Sequence, residues 1–408
     1  MEILTLTLTG MANGGAALGR DAQGRVIFVP YAIPGEQVRV EVVENKGRFA
    51  QARLLELLQP APERVRPRCP HFGVCSGCAF QHIAYPAQLA YKQAIVQDQL
   101  ARIGGLAQVV VRPVMANPEP YEYRTAVDFS PTPAGGLGFW SAPAGEVIPI
   151  RECHIIRPEL QALYQDVDLE LPNLRKLSLR LGEESQLMAL AVDDIEPPAL
   201  NTDLPIAVAM VLPDGTAANL VGDNYLVQAL HGREFRVSAG CFFYPSPPAG
   251  DMLIDVVLDY AALTGRETVL DAYCGVGALT AFLAEHAADV GAIEVNPDAV
   301  SDATVNLADM DDVTLYEGLV EEILPLLTLR PDVVVVDPPP AGLPKTVIEP
   351  LVAMAPGRII YVSDDVATLA RDAKHLARRG YRLVEVQPID MYPQTFQVQT
   401  VALWARDA

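Results

Sequence analysis

The chain has 408 residues, half of them apolar, and its 51 acids against 30 bases give a net charge of −21. This length predicts two or three domains, and the acidic excess argues against indiscriminate nucleic-acid binding, which needs clustered Lys and Arg. No stretch approaches the roughly 20 uninterrupted apolar residues that span a bilayer, and the opening MEILTLTLTGMANGG lacks the basic-then-apolar pattern of a secretory signal. A soluble cytoplasmic protein with no membrane partner is the expectation.

Residues 1–60 alternate apolar and polar residues through EILTLTLTG, RVIFVPYAIPGEQVRVEVVEN and FAQARLLELL. These read as strands broken by Gly, Asn and Pro. Their length and turn density predict a small closed β-barrel of the oligonucleotide-binding type. The prolines of QPAPERVRPRCP mark its end, because they break helix and central strand alike. Residues 61–249 are expected to form a central, β-rich domain that opens with a cysteine cluster. YPAQLAYKQAIVQDQLARIGG reads as an amphipathic helix stopped by Gly104 and Gly105. From about 121 to 243, YEYRTAVDFS, GGLGFW and KLSLRLGEESQLMALAV predict antiparallel strands.

Residues 250–408 alternate helix and strand, which predicts a doubly wound α/β domain. The last two strands, YRLVEVQPIDMYP and QVQTVALWARD, are expected to pair antiparallel at the sheet edge. Arg48, Arg53, Arg64, Arg66 and Arg68, and later Arg371, Lys374, Arg378 and Arg379, are candidates for a local basic face against the acidic whole.

Three motifs in this order carry chemistry. Cys69, Cys75 and Cys78 lie within ten residues, and Cys153 is available as a fourth ligand. Thiolates in such a set bind Zn²⁺ or hold an iron–sulfur cluster, and the spacing does not choose between them. His71 and His82 are possible substitutes for the fourth ligand. In LDAYCGVGALT, Gly275 and Gly277 permit a tight strand-to-helix turn that a ligand can approach. Thr280 stands where a dinucleotide fingerprint needs a third glycine. Glu294 closes the next strand 23 residues after Asp271, where a carboxylate can accept both hydroxyl protons of a ribose. With VVVVDPPPAG, which sets Asp337 at the end of a buried strand, the set fits S-adenosylmethionine better than NAD. GRIIYVSDDVATLARDAKHLARRG adds Asp364 and Asp365 at another strand end. They read either as catalytic acids or as a helix cap.

Nearly the whole chain resembles the RNA (uracil-5-)-methyltransferase family, specifically its 23S ribosomal-RNA 5-methyluridine branch with an N-terminal TRAM domain and an iron–sulfur cluster. AGCFFYPSP, LDAYCGVGALT, IEVNPDAV, DPPPAG, VSDDVATLARD and DMYPQTFQVQTVALW follow that family's motif order. The resemblance implies a TRAM barrel, a Rossmann-like methyltransferase domain and an RNA partner, ribosomal in this branch. It also implies a monomer, and Cys69, Cys75, Cys78 and Cys153 as ligands of a [4Fe-4S] cluster. Tyr244, Tyr273, Gly275, Gly277, Glu294 and Asp337 fall at positions around the methyl donor.

The family's reaction adds a cysteine thiolate to uracil C6 and uses a glutamate to remove the C5 proton. Asp364 stands at the nucleophile position and Gln399 at the glutamate position. Tyr244 replaces a family Gln, Leu319 a family Asp and Pro340 a family Arg. Lost or altered uracil-C5 chemistry is therefore expected, the alternative being a non-catalytic RNA-binding relative that keeps the fold and the cluster.

Overall fold

The computed structural model describes all residues except 1, 168, 170, 172, 194–197, 199–202, 214 and 407–408. Strands β1 (Glu2–Met11), β2 (Ala17–Arg20), β3 (Val26–Val29), β4 (Gln37–Asn45) and β5 (Phe49–Gln59) close a barrel in the order β1-β2-β3-β5-β4. The two-residue period read from the sequence places Leu6, Leu8, Ile27, Val29, Val38, Val40, Ala50 and Ala52 inside it. Glu36, fully buried, ties the barrel to the chain that leaves it. Its carboxylate accepts from Ile33 N at 2.8 Å, from Ala61 N at 3.3 Å and from the Arg64 guanidinium.

Helix α1 (Tyr85–Gln99) runs on through a widened turn, Leu100–Gly104, and stops at Gly105 with φ 73°. The buried face of α1 is not the apolar stripe expected of an amphipathic helix. It carries Gln88, Lys92 and Gln99 beside Ile95 and Val96. Gln88 Nε2 donates to Phe80 O and Ile83 O at 3.1 and 2.9 Å, so these polar groups stitch loops together rather than fill a core. Strand β6 (Val110–Val111) then joins the C-terminal sheet. Val96 and Leu100 share a core with Leu369, Ala370 and Trp404. The stretch from α1 to β6 thus packs on the C-terminal sheet rather than on the β-rich region that surrounds it in sequence.

The β-rich region holds β7 (Ala126–Pro131), β8 (Leu137–Ser141), β9 (Glu146–Pro149), α2 (Pro158–Asp166), β10 (Leu174–Leu181), β11 (Gln186–Val192), β12 (Ala207–Val211) and β13 (Ala217–Val221). The strands form one sheet in the order β13-β12-β11-β10-β7-β8-β9. It is antiparallel as expected, except that β11 and β12 pair parallel. A parallel pair needs a long return connection, and residues 193–206 supply it. A separate hairpin of β14 (Tyr225–Leu230) and β15 (Arg233–Ser238) completes this part.

The C-terminal part begins with α3 (Pro247–Ala261) and continues β16 (Thr268–Ala272), α4 (Ala278–Ala284), β17 (Asp289–Glu294), α5 (Pro297–Asn306), β18 (Val313–Glu317) and α6 (Val320–Ile323). It ends with β19 (Val333–Val336), α7 (Lys345–Met354), β20 (Arg358–Ser363), α8 (Val366–Ala377), β21 (Tyr381–Ile389) and β22 (Gln399–Arg406). The sheet order is β18-β17-β16-β19-β20-β22-β21-β6, with β16 to β20 parallel and the last two long strands antiparallel. Apolar layers cover both faces, which is why Val333–Val336 reads as an unbroken valine run. The order reverses between β16 and β19, so the crevice beyond their carboxyl ends is where ligands bind in such sheets. Among the described residues, no helix is long and apolar enough to cross a membrane.

Candidate functional site

Strand β16 ends in a turn of left-handed residues: Tyr273 at φ 68°, Gly275 at 57° and Gly277 at 82°. The two glycines differ in what surrounds them. A Cβ on Gly275 would meet nothing within 4 Å, so this backbone is open to the crevice. A Cβ on Gly277 would meet Leu307 Cδ1 at 2.9 Å. Gly277 caps α4 against α5 and is not among the residues lining the cavity. It packs against Leu307 and Ala303, while Val276 and Ala278 on either side of it line the cavity.

At the end of β17, the two Glu294 oxygens accept from Val295 N at 2.8 Å, Asn296 N at 2.7 Å and Gly275 N at 3.0 Å. Three backbone donors thus fix the carboxylate over the glycine turn. Beneath it Asp271 is fully buried, accepts from Thr280 Oγ1 at 2.6 Å, and leaves Oδ1 without a partner. Burial, with the Glu294 charge, pushes Asp271 up to about 6.

Asp337 follows β19, and Asp364 follows β20. Both line one cavity of about 950 Å³ together with Tyr244, Tyr273, Gly275, Glu294 and Gln399. Burial raises Asp337 to about 7, helped by the charges of Asp271 and Asp364. Burial also raises Asp364, helped by Asp365. Leu319 and Pro340 line the same wall. Gln399 opens β22 opposite Ile389 and is 6% exposed. The only thiol lining this cavity among the described residues is Cys274. Burial and the carboxylates of Asp271 and Glu294 hold it well above the ordinary thiol range, so it is a neutral thiol near pH 7. Cys241 is buried, and burial raises it as well.

Asp365 separates from its neighbour. Its side chain accepts from Thr368 N at 2.8 Å and caps α8. Asp365→Ala is expected to lower stability by about 1 kcal/mol without changing what binds in the cavity, as chemical denaturation and ligand titration of the same variant would show.

A second cavity, of about 540 Å³, is lined by Cys69, Cys75, Cys78 and Cys153. All four are free, half-buried thiols. Burial raises Cys78 to about 12 and Cys153 to about 11. Among the described residues no three His, Cys, Asp or Glu side chains gather closely enough to hold one metal ion. His71 lines this cavity and accepts from Arg151 N at 3.1 Å. His82 does not line it; it is buried beside Phe72 and lowered to about 4 by burial. Phe242, Phe243 and Tyr392 line both cavities and connect them.

Sequence reasoning missed Tyr392, Lys345 and His375, all of which line the larger cavity, and considered Arg371, which also lines it, only for an RNA face. Tyr392 stands inside DMYP, where only its neighbourhood had drawn notice. Five of the nine basic residues considered for an RNA face are paired: Arg53 with Glu41, Arg64 with Glu36, Arg68 with Glu122, Arg371 with Asp372 and Arg379 with Glu349. That pairing offsets part of the local positive charge expected from them, and Arg48, Arg66, Lys374 and Arg378 remain outside any ion pair among the described residues.

Comparison with known proteins agrees with this architecture. Residues 2–55 match the TRAM domain. The chain is 32% identical to an uncharacterized RNA methyltransferase of Halalkalibacterium halodurans, over 98% of this chain and 96% of that one. It is 34% identical to another of Nostoc sp., with the same coverage. Among solved structures it resembles the Pyrococcus abyssi tRNA (uracil-54, C5)-methyltransferase in complex with S-adenosyl-L-homocysteine. The TM-score is 0.75 and the identity 23%, covering 98% of this chain and 100% of that one, a likeness of fold.

Proposed function

We propose, because the chain belongs to the RNA methyltransferase family, that it binds S-adenosylmethionine in the 950 Å³ cavity and methylates RNA by chemistry other than thiolate addition to uracil. One observation carries this reading: Glu294, Asp337, Asp364 and Gln399, from four separate strand ends, face one cavity, and the one thiol that lines it among the described residues, Cys274, is held protonated by burial.

The residues fit the methyl donor. Gly275 leaves the backbone open where a ligand approaches the turn, and Glu294 is held by three N–H donors with lone pairs remaining for ribose hydroxyls. Pro338 and Pro339 stiffen the opposite wall and remove donors that would compete for the ligand. The donor, when bound, supplies an electrophilic methyl group. Tyr244 and Tyr273 add aromatic surface, and burial keeps both phenols protonated. Conjugate addition to uracil is not supported, since a carboxylate stands at 364 and the Gln399 amide has no useful basicity.

Four cysteines lining one cavity support an iron–sulfur cluster, as in the branch that the chain resembles, with zinc as the alternative. Cys69, Cys75, Cys78 and Cys153 would hold it, in a structural role. The four-cysteine segment, carried by the ribosomal-RNA branch that the chain resembles, is the support for ribosomal RNA as partner. A monomeric cytoplasmic enzyme completes the proposal.

Titration calorimetry with S-adenosylmethionine should give saturable heat. Glu294→Gln should weaken the affinity by roughly 10- to 100-fold, since hydrogen bonds to a charged group contribute about 1.5–3 kcal/mol. Labelled methyl should then pass from the donor to RNA. Saturable binding with no transfer to any RNA would sink the enzyme reading in favour of a non-catalytic RNA-binding relative.

A further inference from the structure

Strands β19 and β20 are parallel neighbours with Val336 opposite Tyr361, so Asp337, one residue on, and Asp364, three residues on, follow adjacent strand ends, near enough for the Asp364 charge to act on Asp337. Asp337 and Asp364 therefore enter the cavity as a pair of carboxylates. The groups that act on Asp337 are Asp271 from β16 and Asp364; Tyr244 and Tyr392 lie close to it, and none of these is a cation. The arginine of this wall, Arg371, is engaged elsewhere: Nε donates to Asp372 and Nη2 to Ala341 O, both at 2.8 Å. Asp365, next in sequence, is occupied by the helix cap. Lys345 and His375 line the same cavity from α7 and α8, yet neither carboxylate is in an ion pair among the described residues, so two acceptor groups remain for a ligand.

Uracil is a poor match for such a pair. Its pairing edge offers one N–H donor between two carbonyl oxygens, and its C5–C6 edge offers no polar donor. An exocyclic amino group offers two N–H donors on one nitrogen, one for each carboxylate. We propose that Asp337 and Asp364 receive the exocyclic amino group of an adenine, cytosine or guanine in RNA, and that this nitrogen is the methyl acceptor. The proposal rests on the methyltransferase reading above.

The step balances. The amino nitrogen forms the new C–N bond, the C–S bond of the donor breaks, and its electron pair stays on sulfur. The nitrogen's proton goes to the Asp337 carboxylate and from there to water. No thiolate is required, and no base is required at position 399, where the chain has Gln399. Asp337, raised to about 7, is poised as a base near neutral pH. Tyr392, raised to about 12, stays a hydroxyl donor for the rest of the base.

The test uses the full chain, methyl-labelled S-adenosylmethionine, and RNA from a source strain lacking the gene, followed by nucleoside mass analysis. Label in N6-methyladenosine, N4-methylcytidine or N2-methylguanosine is expected. Label on a ring nitrogen or a ribose overturns the amino acceptor while leaving the methyltransferase reading intact, whereas label in 5-methyluridine overturns the amino acceptor and the departure from uracil chemistry together. No label in any nucleoside overturns both. With the labelled RNA as substrate, Asp364→Asn should lower kcat roughly 100-fold and leave the donor affinity unchanged. The rate should rise with pH through about 7 as Asp337 loses its proton. Removing the Asp364 charge should move that limb to lower pH, because a like charge no longer opposes ionisation. An unmoved limb with unchanged kcat overturns the pairing.

Discussion

Lys92→Met should destabilise the folded protein by about 3–5 kcal/mol, the loss expected when one partner of a buried ion pair is removed. Lys92 and Asp390 are both fully buried, and Lys92 Nζ donates to Asp390 Oδ1 and, at 3.0 Å, to Tyr392 O. Burial lowers the lysine, and the Asp390 charge opposes that shift. Asp390 Oδ2 has no other partner, so without the ammonium a buried carboxylate stands uncompensated. The pair joins α1 to the loop before β22, the loop whose Tyr392 lines both cavities. Chemical denaturation should therefore show the loss, and Lys92→Met combined with Asp390→Asn should recover much of it, because the stranded charge is then gone. A Lys92→Met midpoint equal to the parent's would show that the pair does not hold this junction.

That pair also marks where sequence reading stops. The barrel was legible because its strands have one wet and one dry face, so Leu6, Leu8, Val38 and Val40 alternate with polar neighbours. The C-terminal sheet was legible for the opposite reason: Val333–Val336 is buried on both faces and reads as one run. Helix α1 was legible as a helix, yet its partners were not. Its inward face is Gln88 and Lys92, whose bonds go to residues as distant as Gln394 and Asp390. Nothing in a local pattern announces a lysine that will be buried, since only the fold supplies its counter-charge. The parallel pairing of β11 and β12 was hidden in the same way, because strand composition does not record direction.

The candidate site divides along a similar line. Residues that leave strand ends in order, Tyr273, Glu294, Asp337 and Asp364, were identifiable because a doubly wound sheet collects strand ends at one edge. Tyr392, Lys345 and His375 enter from loops and helices, and no periodicity places them there. Gly277 shows the limit of a motif: adjacent glycines with the same hand of backbone do different work, one open to the cavity and one pressed on Leu307. Several of the arginines considered for a basic face are met by carboxylates far away in sequence, as Glu122 meets Arg68, which no local pattern records.

Returning the two substituted groups should reverse the chemistry in two separable steps. Asp364→Cys puts a thiol at the end of β20, just before the N-terminus of α8, whose partial positive charge favours a thiolate. Asp337 opposes that ionisation, so the adduct should form faster as pH rises. The single variant should form a covalent adduct with uridine-containing RNA and hold it, because Gln399 cannot remove the C5 proton that release requires. Adding Gln399→Glu should turn the trapped complex into turnover and yield 5-methyluridine, a gain of roughly 10²–10⁴-fold for the base alone. Denaturing gels with 5-fluorouridine-containing RNA should show no shifted band for the parent chain and a shifted band for both variants. A shifted band for the parent would refute the reading of Asp364, because Cys274 or Cys241 would then be acting as nucleophile. Failure of both variants would assign the change of acceptor to the other departures on the same wall, Tyr244 and Pro340, whose side chains shape the space that a uracil ring must enter.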